Sequence, residues 1–458
     1  METSLSLWTD DLPVCRQSGI GIATNEIYKK DGRRNEMHPP EDRSFHFRVE
    51  EFGLKVYGVF DGFSGSTVSD FVSKKFPAEL CLGQVSRMST DEAIREALRQ
   101  SFYCLDTEYF NAIGDKLALR MAKRLENPQD PHLIQLDMET IVGACATISV
   151  LLDDKKLFVA NAGDVRVVIC AATEDGDVRA LPLSIDHLVT NEDEALRLSQ
   201  LGLNVAKVSK VTEITRCLGF HQGKGGFKEI DFLKEAHDEP ILWRPEIHGP
   251  FQIEPQHLFM ITFTSPLIKC LEQIASSSDG DINTELCRIT KEQFSENTTV
   301  SGVAQSVVDK IVRMHRLVFG FYASVTSVTS KRRFFFSLCR DHFETEIDDN
   351  VERSWRREDI TLLVRNFNAK LANGKRKTGS GSGGNNNNDT VKPIIPIPAA
   401  APTRSSTTTE SSADTFVKQS RDRELSVDEN GRIKPYVDFS HFHQQWQKHQ
   451  QMLQQNDL

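Results

Sequence analysis

The chain has 458 residues, 39% of them hydrophobic, and a formal net charge of −10. That is enough for one large domain or two ordinary ones with tails, and the acidic balance excludes a general nucleic-acid-binding surface. Nine cysteines stand singly between Cys15 and Cys339 with no C-x-x-C pair, and the longest apolar stretch, near Ala144 to Leu152, is far short of a membrane span. A disulfide frame, a thiolate zinc site and a membrane span are therefore not expected, and a reducing, cytoplasmic setting is.

Strand patterns rich in β-branched and aromatic residues are read at 56–60, 147–152, 157–160, 165–170, 257–263 and 361–364. Residues 191–201 read as a helix that Asn191 caps, with Glu192, Asp193 and Glu194 in its first turn and Gly202 as its stop. A second helix is predicted over 301–315, where Val303, Val307, Val308, Ile311 and Val312 recur on one face. Close-set strands with separate long helices predict an α+β layered sandwich.

Composition shifts sharply after residue 368. Residues 370–377 are basic, 378–388 are Gly, Ser and Asn, 393–402 are proline-rich and 405–412 are Ser- and Thr-rich. Such a stretch cannot bury enough apolar surface to offset the entropy of ordering, so 369–425 is predicted to be a flexible linker. A pattern returns in the segment 426–458. Phe439, Phe442 and Trp446 lie at i, i+3 and i+7 of a helix that Asp438 can cap, with Tyr436 and Val437 just ahead. A short isolated helix is marginal in water. Three large aromatics on one side of it predict a groove supplied by something else; the alternative is a helix packed back on its own domain.

Four motifs carry chemistry. Asp61-Gly62-Phe63-Ser64-Gly65 follows the first strand, and Gly143-Ala144-Cys145-Ala146 opens the second. Asn161-Ala162-Gly163-Asp164-Val165-Arg166 joins two more strands, and Ser184-Ile185-Asp186-His187 leads toward the 191–201 helix. Alone, an Asp-Gly after a strand is ordinarily a turn. In this order and spacing the set resembles the metal-dependent type 2C protein serine/threonine phosphatases, over residues 15–368. The resemblance implies a four-layer α-β-β-α sandwich and a site for phosphate-ester hydrolysis. That chemistry needs carboxylates for hard cations, paired metals to activate a water, a cation on the phosphate and an acid for the leaving alkoxide.

Residue by residue, the resemblance places an upstream Glu-Asp pair at Glu41-Asp42, the bridging aspartate at Asp61 with the Gly62 carbonyl beside it, and another aspartate at Asp164. It puts the last ligand at Glu358, with Asp359 as the alternative one residue on. Glu41, Asp61, Gly62, Asp164 and Glu358 together imply at most one weak Mg or Mn site, and no cofactor that the chain requires. The departures fall on the reactive groups. Phe63 stands where the general-acid histidine belongs; a phenyl ring transfers no proton, and losing that contribution costs on the order of 10²–10⁴ in rate. Met37 stands where the phosphate-gripping arginine belongs, and Arg33 or Arg34 could substitute only across a gap. Ser265-Pro266 replaces an Asp-Gly ligand pair after the strand at 257–263, and Phe220 replaces an aspartate after Arg216-Cys217-Leu218-Gly219. Losses on chemistry, with fold-bearing strands kept, imply a pseudophosphatase. The other reading is an active Mn- or Mg-dependent phosphatase with a degenerate site.

Further segments narrow the likeness: Trp8-Thr9-Asp10-Asp11-Leu12-Pro13, His38-Pro39-Pro40-Glu41-Asp42, Arg197-Leu198-Ser199-Gln200-Leu201-Gly202-Leu203, Pro245-Glu246-Ile247-His248-Gly249 and Tyr436-Val437-Asp438-Phe439. They resemble pseudophosphatase adaptors of the same family. Those adaptors bind a MAP kinase kinase kinase, the TGF-β-activated kinase, through a C-terminal aromatic helix and promote its autophosphorylation. The resemblance implies that Tyr436, Val437, Phe439, Phe442 and Trp446 bind the kinase, and that the large domain scaffolds other partners in immune and stress signalling. It likens Lys392, Ile395 and Ile397 to a docking segment for a stress-activated MAP kinase, and an ordinary proline-rich spacer fits that stretch equally well. Residues 320–356 have no counterpart in the family pattern; an inserted hairpin, a partner-binding patch and an artefact of the gene model all fit this stretch. The lysine within 219–226 lacks the spacing of a phosphate-cradling loop, so a surface loop is expected there. His187 reads as a turn residue, not a base.

Overall fold

Alternate side chains along the strands face two different cores, and this alternation explains the layering. The computed structural model describes residues 12–28, 34–84, 90–274, 281–325 and 355–372. The chain divides into two units, Met1–Lys377 and Thr378–Leu458, and all the described residues belong to the first. Lys392, Ile395, Ile397, Tyr436, Val437, Phe439, Phe442 and Trp446 lie outside the described residues, as do Arg33 and most of 320–356.

Fourteen strands are described: β1 (Ser18–Ala23), β2 (Glu26–Tyr28), β3 (Arg34–Asn35), β4 (Arg43–Val49), β5 (Leu54–Phe63), β6 (Gly143–Leu152), β7 (Lys156–Ala162), β8 (Arg166–Ala172), β9 (Val178–Pro182), β10 (Leu218–Gly219), β11 (Glu246–Gln252), β12 (His257–Phe263), β13 (Trp355–Arg357) and β14 (Ile360–Asn366). One antiparallel sheet runs β11-β7-β6-β5-β4, with β10 paired to the start of β6. The other runs β1-β14-β12-β8-β9, also antiparallel. A small third sheet runs β13-β2-β3.

On β5, Val56 and Phe60 pack outward against Val68, Val72 and Phe76 of the Thr67–Ala78 helix and Leu98 and Phe102 of the Asp91–Ala112 helix. Tyr57 and Val59 turn the other way and meet Met260 of β12 and Leu363 of β14 between the sheets. Leu362 and Val364 face a third core, formed with the helices Ser265–Ile274, Ile282–Glu296 and Val300–Val325. The order is thus helix, sheet, sheet, helix, the four-layer α+β sandwich that the family resemblance implies. Val303, Val307, Val308 and Ile311 are wholly buried, each contributing about 1.5–3 kcal/mol by removal from water. Among the described residues no helix is long and apolar enough to cross a membrane.

Several elements differ from expectation. The helix expected at 301–315 runs Val300–Val325, and β13 reaches back to 355, so both ends of the 320–356 stretch belong to the fold. β6 begins at Gly143, four residues earlier than its β-branched run, because small residues continue its pairing with β5 down to Phe63. Asn191 does cap its helix, Glu192–Gln200, accepting from the Asp193 and Glu194 N–H groups, and Gly202 beyond it has φ +88°. The helices between 67 and 141 go unread in the sequence, although Thr90 caps Asp91–Ala112 by accepting from the Ala93 N–H, and Ile94, Ala97, Leu98, Phe102, Leu105 and Tyr109 repeat along its buried face.

Candidate functional site

The ends of β5, β12 and β14, the β7–β8 turn and the approach to β4 converge at one end of the sandwich. The β4–β5 ladder pairs Arg43 with Phe60, so one step on, Asp42 comes abreast of Asp61. Gly62 permits this approach, because a Cβ there would overlap the Glu41 carbonyl oxygen. Asp61 shares the inter-sheet side of β5 with Tyr57 and Val59. Asp164 sits in the tight turn between Ala162 and Arg166 and is buried. His187 holds that turn: its Nδ1 accepts from the Gly163 N–H at 3.2 Å, while Nε2 meets Glu246 at 3.1 Å.

The last strand contributes Asp359, and this corrects the expectation of Glu358. Asp359 is buried, its Oδ1 accepting from the Asn25 backbone N–H at 2.6 Å and side-chain Nδ2 at 2.9 Å, and its Oδ2 from the Glu41 N–H at 2.7 Å. Glu358 instead points outward and pairs with His38 Nε2 at 3.1 Å, its side chain 57% exposed. Period-two alternation decides between them: residue 359 falls on the same side of β14 as Thr361 and Leu363, which face the space between the sheets.

Like charges and burial govern these groups. Burial, then the charges of Asp42 and Asp164, push the Asp61 carboxyl well above its usual range; the Ser265 N–H and Lys269 oppose this only in part. Asp42 rises to about 7, first through burial and then the Asp359 and Glu41 charges, against hydrogen bonds from Thr361 and Thr264. Glu41 also rises to about 7, again first through burial, with His38 pulling it down and Asp359 and Glu358 pushing it up.

The fit to a divalent pair is poor. Where the family places a further carboxylate, the N-terminus of the Ser265–Ile274 helix presents its backbone, and the Ser265 N–H donates to Asp61 Oδ2 at 3.1 Å. That helix end carries partial positive charge, the wrong sign beside a cation. Pro266 follows inside the first turn, where its missing N–H costs nothing. Both oxygens of Asp359 are occupied by internal donors. Asp42 Oδ2 has no hydrogen-bond partner. Among the described residues no group of three or more His, Cys, Asp or Glu side chains is disposed to hold a metal ion.

The positions that the resemblance likens to reactive groups hold apolar or committed side chains. Phe63 lies half-buried against Cys217, Phe220 and Ile241. Its ring meets that of Phe220 edge to face, with centroids 5.7 Å apart and planes at 75°. Gly143 opposite has no room for a Cβ because the Phe63 ring fills that space. Met37 is half-buried, and its N–H donates to Asn25 Oδ1 at 2.7 Å. Arg216 is committed to the buried Glu194, with Nε to Oε1 at 2.9 Å. The segment bearing Phe220 is fastened by a buried ion pair, Lys224 Nζ to Asp106 at 2.7 and 2.8 Å, with the Gly219 N–H also donating to Asp106. The expected surface loop at 219–226 is therefore corrected at its lysine, which is 1% exposed. Asn25 and Asp106 were missed in the sequence, and Lys224 was misplaced there, because nothing local marks residues that act across separations of 118 to 334 positions.

The family profile described as Protein phosphatase 2C matches residues 50–316, more than half of the chain. The chain belongs to the protein phosphatase 2C family. Among relatives of known name, it is 30% identical over 193 residues to "Probable protein phosphatase 2C 4" of Paramecium tetraurelia, covering 41% of this chain and 56% of that protein. It is 26% identical over 270 residues to "Probable protein phosphatase 2C 2" of Arabidopsis thaliana, covering 58% of each. The chain thus spans a little over half the length of these two relatives. It is also 23% identical over 312 residues to "TGF-beta-activated kinase 1 and MAP3K7-binding protein 1" of Caenorhabditis elegans, covering 67% of this chain and 76% of that protein. Of solved structures, a serine-threonine phosphatase 2C from Toxoplasma gondii aligns with TM-score 0.47 at 15% identity, over 77% of this chain and 96% of that one.

Proposed function

We propose that this member of the protein phosphatase 2C family is a catalytically inactive adaptor. On this reading it binds and activates a MAP kinase kinase kinase of the TGF-β-activated type through residues 426–458, while the large domain holds other signalling partners. The observation that carries the inactivity is Phe63 packed on Phe220. At the place where this family protonates its leaving group there is a hydrocarbon pair with no proton to give. The Ser265 N–H on Asp61 supports the same reading from the metal side. The partner rests on the likeness to the kinase-binding relative from Caenorhabditis elegans and on the helical spacing of Phe439, Phe442 and Trp446. Aromatic anchors of that kind contribute roughly 2 kcal/mol or more each to an interface.

A second reading, a metal-dependent serine/threonine phosphatase, keeps support from the carboxylates still gathered at Asp42, Asp61, Asp164 and Asp359, and from the phosphatase names of the other relatives. Assay of the purified full chain on a phosphopeptide with Mn²⁺ separates the two. The adaptor reading expects no turnover above a blank, and robust turnover would overturn it. Co-expression with the kinase tests the second half. Phe439→Ala is expected to abolish kinase activation while the melting temperature of the chain stays unchanged, and full activation by that variant would count against the assigned docking segment.

A further inference from the structure

The helices Gly114–Glu126 and His132–Ile141 form an antiparallel hairpin, and its outer face is apolar. Lys116 pairs with Glu139 at 2.8 Å, Arg120 with Asp137 at 2.6 Å and Lys123 with Asp130 at 2.7 Å. As one number rises the other falls, so Met121 comes close to abreast of Ile134, with Leu125 one turn beyond it toward the loop and Met138 one turn beyond it the other way. Ala118, Met121, Ala122 and Leu125 fall at i, i+3, i+4 and i+7, a single helical stripe. Ile134 and Met138 lie one turn apart on the second helix. Yet Met121 is 60% exposed, Leu125 86%, Ile134 72% and Met138 49%.

The hairpin is firmly attached, so this face is a fixed surface. Leu133 is buried beneath it, and Arg120, 3% exposed, reaches past Asp137 to Glu229 at 2.8 Å. Its basic side chains Lys116, Arg120, Lys123 and Arg124 all have acidic partners within the chain. A second hairpin of the same sequence would therefore meet no net repulsion. Each of the four exposed side chains offers on the order of 100 Å² of apolar surface. Two copies would thus enclose roughly 800 Å² from these side chains alone, and the exposed Ala118 and Ala122 of the same stripe bring the contact to about 1,000 Å², the least that a biological interface should clear.

We propose that this face is the interface of a symmetric homodimer, in which Met121 and Leu125 of one copy pack on Ile134 and Met138 of the other. A two-fold axis makes such a contact self-complementary, and two hairpins joined this way form a four-helix arrangement with a shared apolar seam.

Sedimentation equilibrium of the full chain, from sub-micromolar to tens of micromolar, tests this directly. The wild-type mass should rise from one copy to two. The double variant Leu125→Glu, Ile134→Glu should raise the dimer dissociation constant at least about 30-fold. Both side chains are exposed, so circular dichroism and melting should match the wild type. A wild-type chain that stays single throughout, whether the face is then bare or taken by another protein, overturns the proposal. So does a double variant that dimerises as tightly as the wild type.

Discussion

Asp61 Oδ2 accepts the Ser265 backbone N–H at 3.1 Å, so a helix N-terminus stands where the family presents a metal-binding carboxylate. Placing a carboxylate back at that point should cost stability in the absence of metal. Ser265→Asp sets a like charge beside Asp61 and Asp42, at a cost of about 1–3 kcal/mol if both ionise. In a thermal melt with EDTA the variant should melt a few degrees lower than wild type. Millimolar Mn²⁺ should recover most of that loss in the variant and shift the wild type far less. Equal Mn²⁺ shifts in the two proteins would show that residue 265 does not decide cation affinity.

Phe63 fills space between Gly143 and Phe220. Phe63→Ala should therefore destabilise the chain by about 2 kcal/mol, less than a fully buried phenylalanine because the ring is half-buried. Phe63→His should not create turnover by itself, because the imidazole would face Phe220 and find no metal-bound water. A phosphopeptide assay with Mn²⁺ checks this. Turnover by the single variant above that of wild type would place a working metal centre in this chain.

The buried pair Lys224–Asp106 should behave as a unit. Removing one partner leaves an uncompensated charge, so Lys224→Met should cost about 3–5 kcal/mol in urea denaturation. Lys224→Met with Asp106→Leu should cost clearly less than Lys224→Met alone. A double variant as unstable as the sum of the two singles would mean that the groups act independently.

The pH dependence has two limbs of opposite sign. Glu41 and Asp42 both have their folded pKa raised to about 7, from ordinary values of 4.5 and 3.8. Each binds its proton more tightly in the folded chain, so its stabilising contribution is complete below about pH 4 and is lost as pH rises to about 7. Glu194 runs the other way. Burial favours its proton, but the Arg216 and Arg197 hydrogen bonds outweigh burial and lower it to about 2. Its contribution is complete above about 4.5 and lost as pH falls toward 2. The urea midpoint of the wild type, in EDTA, is expected to fall between pH 5 and pH 8. Asp42→Asn should flatten that fall, and a wild-type midpoint that rises over the same interval would contradict the assigned carboxyl environments.

Much of this was legible in the residues and some was not. The strand at 257–263 needed no revision, and the Asn191 cap and the stripe from Val303 to Val312 sit where their spacing puts them. These are local signals, set by side-chain period and by the hydrogen-bonding needs of helix ends. Asp359 rather than Glu358 was also readable in principle, because the alternation of Thr361 and Leu363 extends one step back. The helices between 67 and 141 were overlooked, although the Thr90 cap and the apolar face of Asp91–Ala112 are signals of the same local kind.

The amino-acid sequence alone determined the family and the runs of its central strands, because motif spacing and side-chain period are properties of the linear chain. Only the tertiary structure decided what packs around the candidate site. That Phe63 found Phe220, that Ser265 offered an N–H to Asp61, and that Lys224 reached Asp106 across 118 positions depend on which segments the two sheets bring together. A contact between distant residues leaves no periodic trace in either of them.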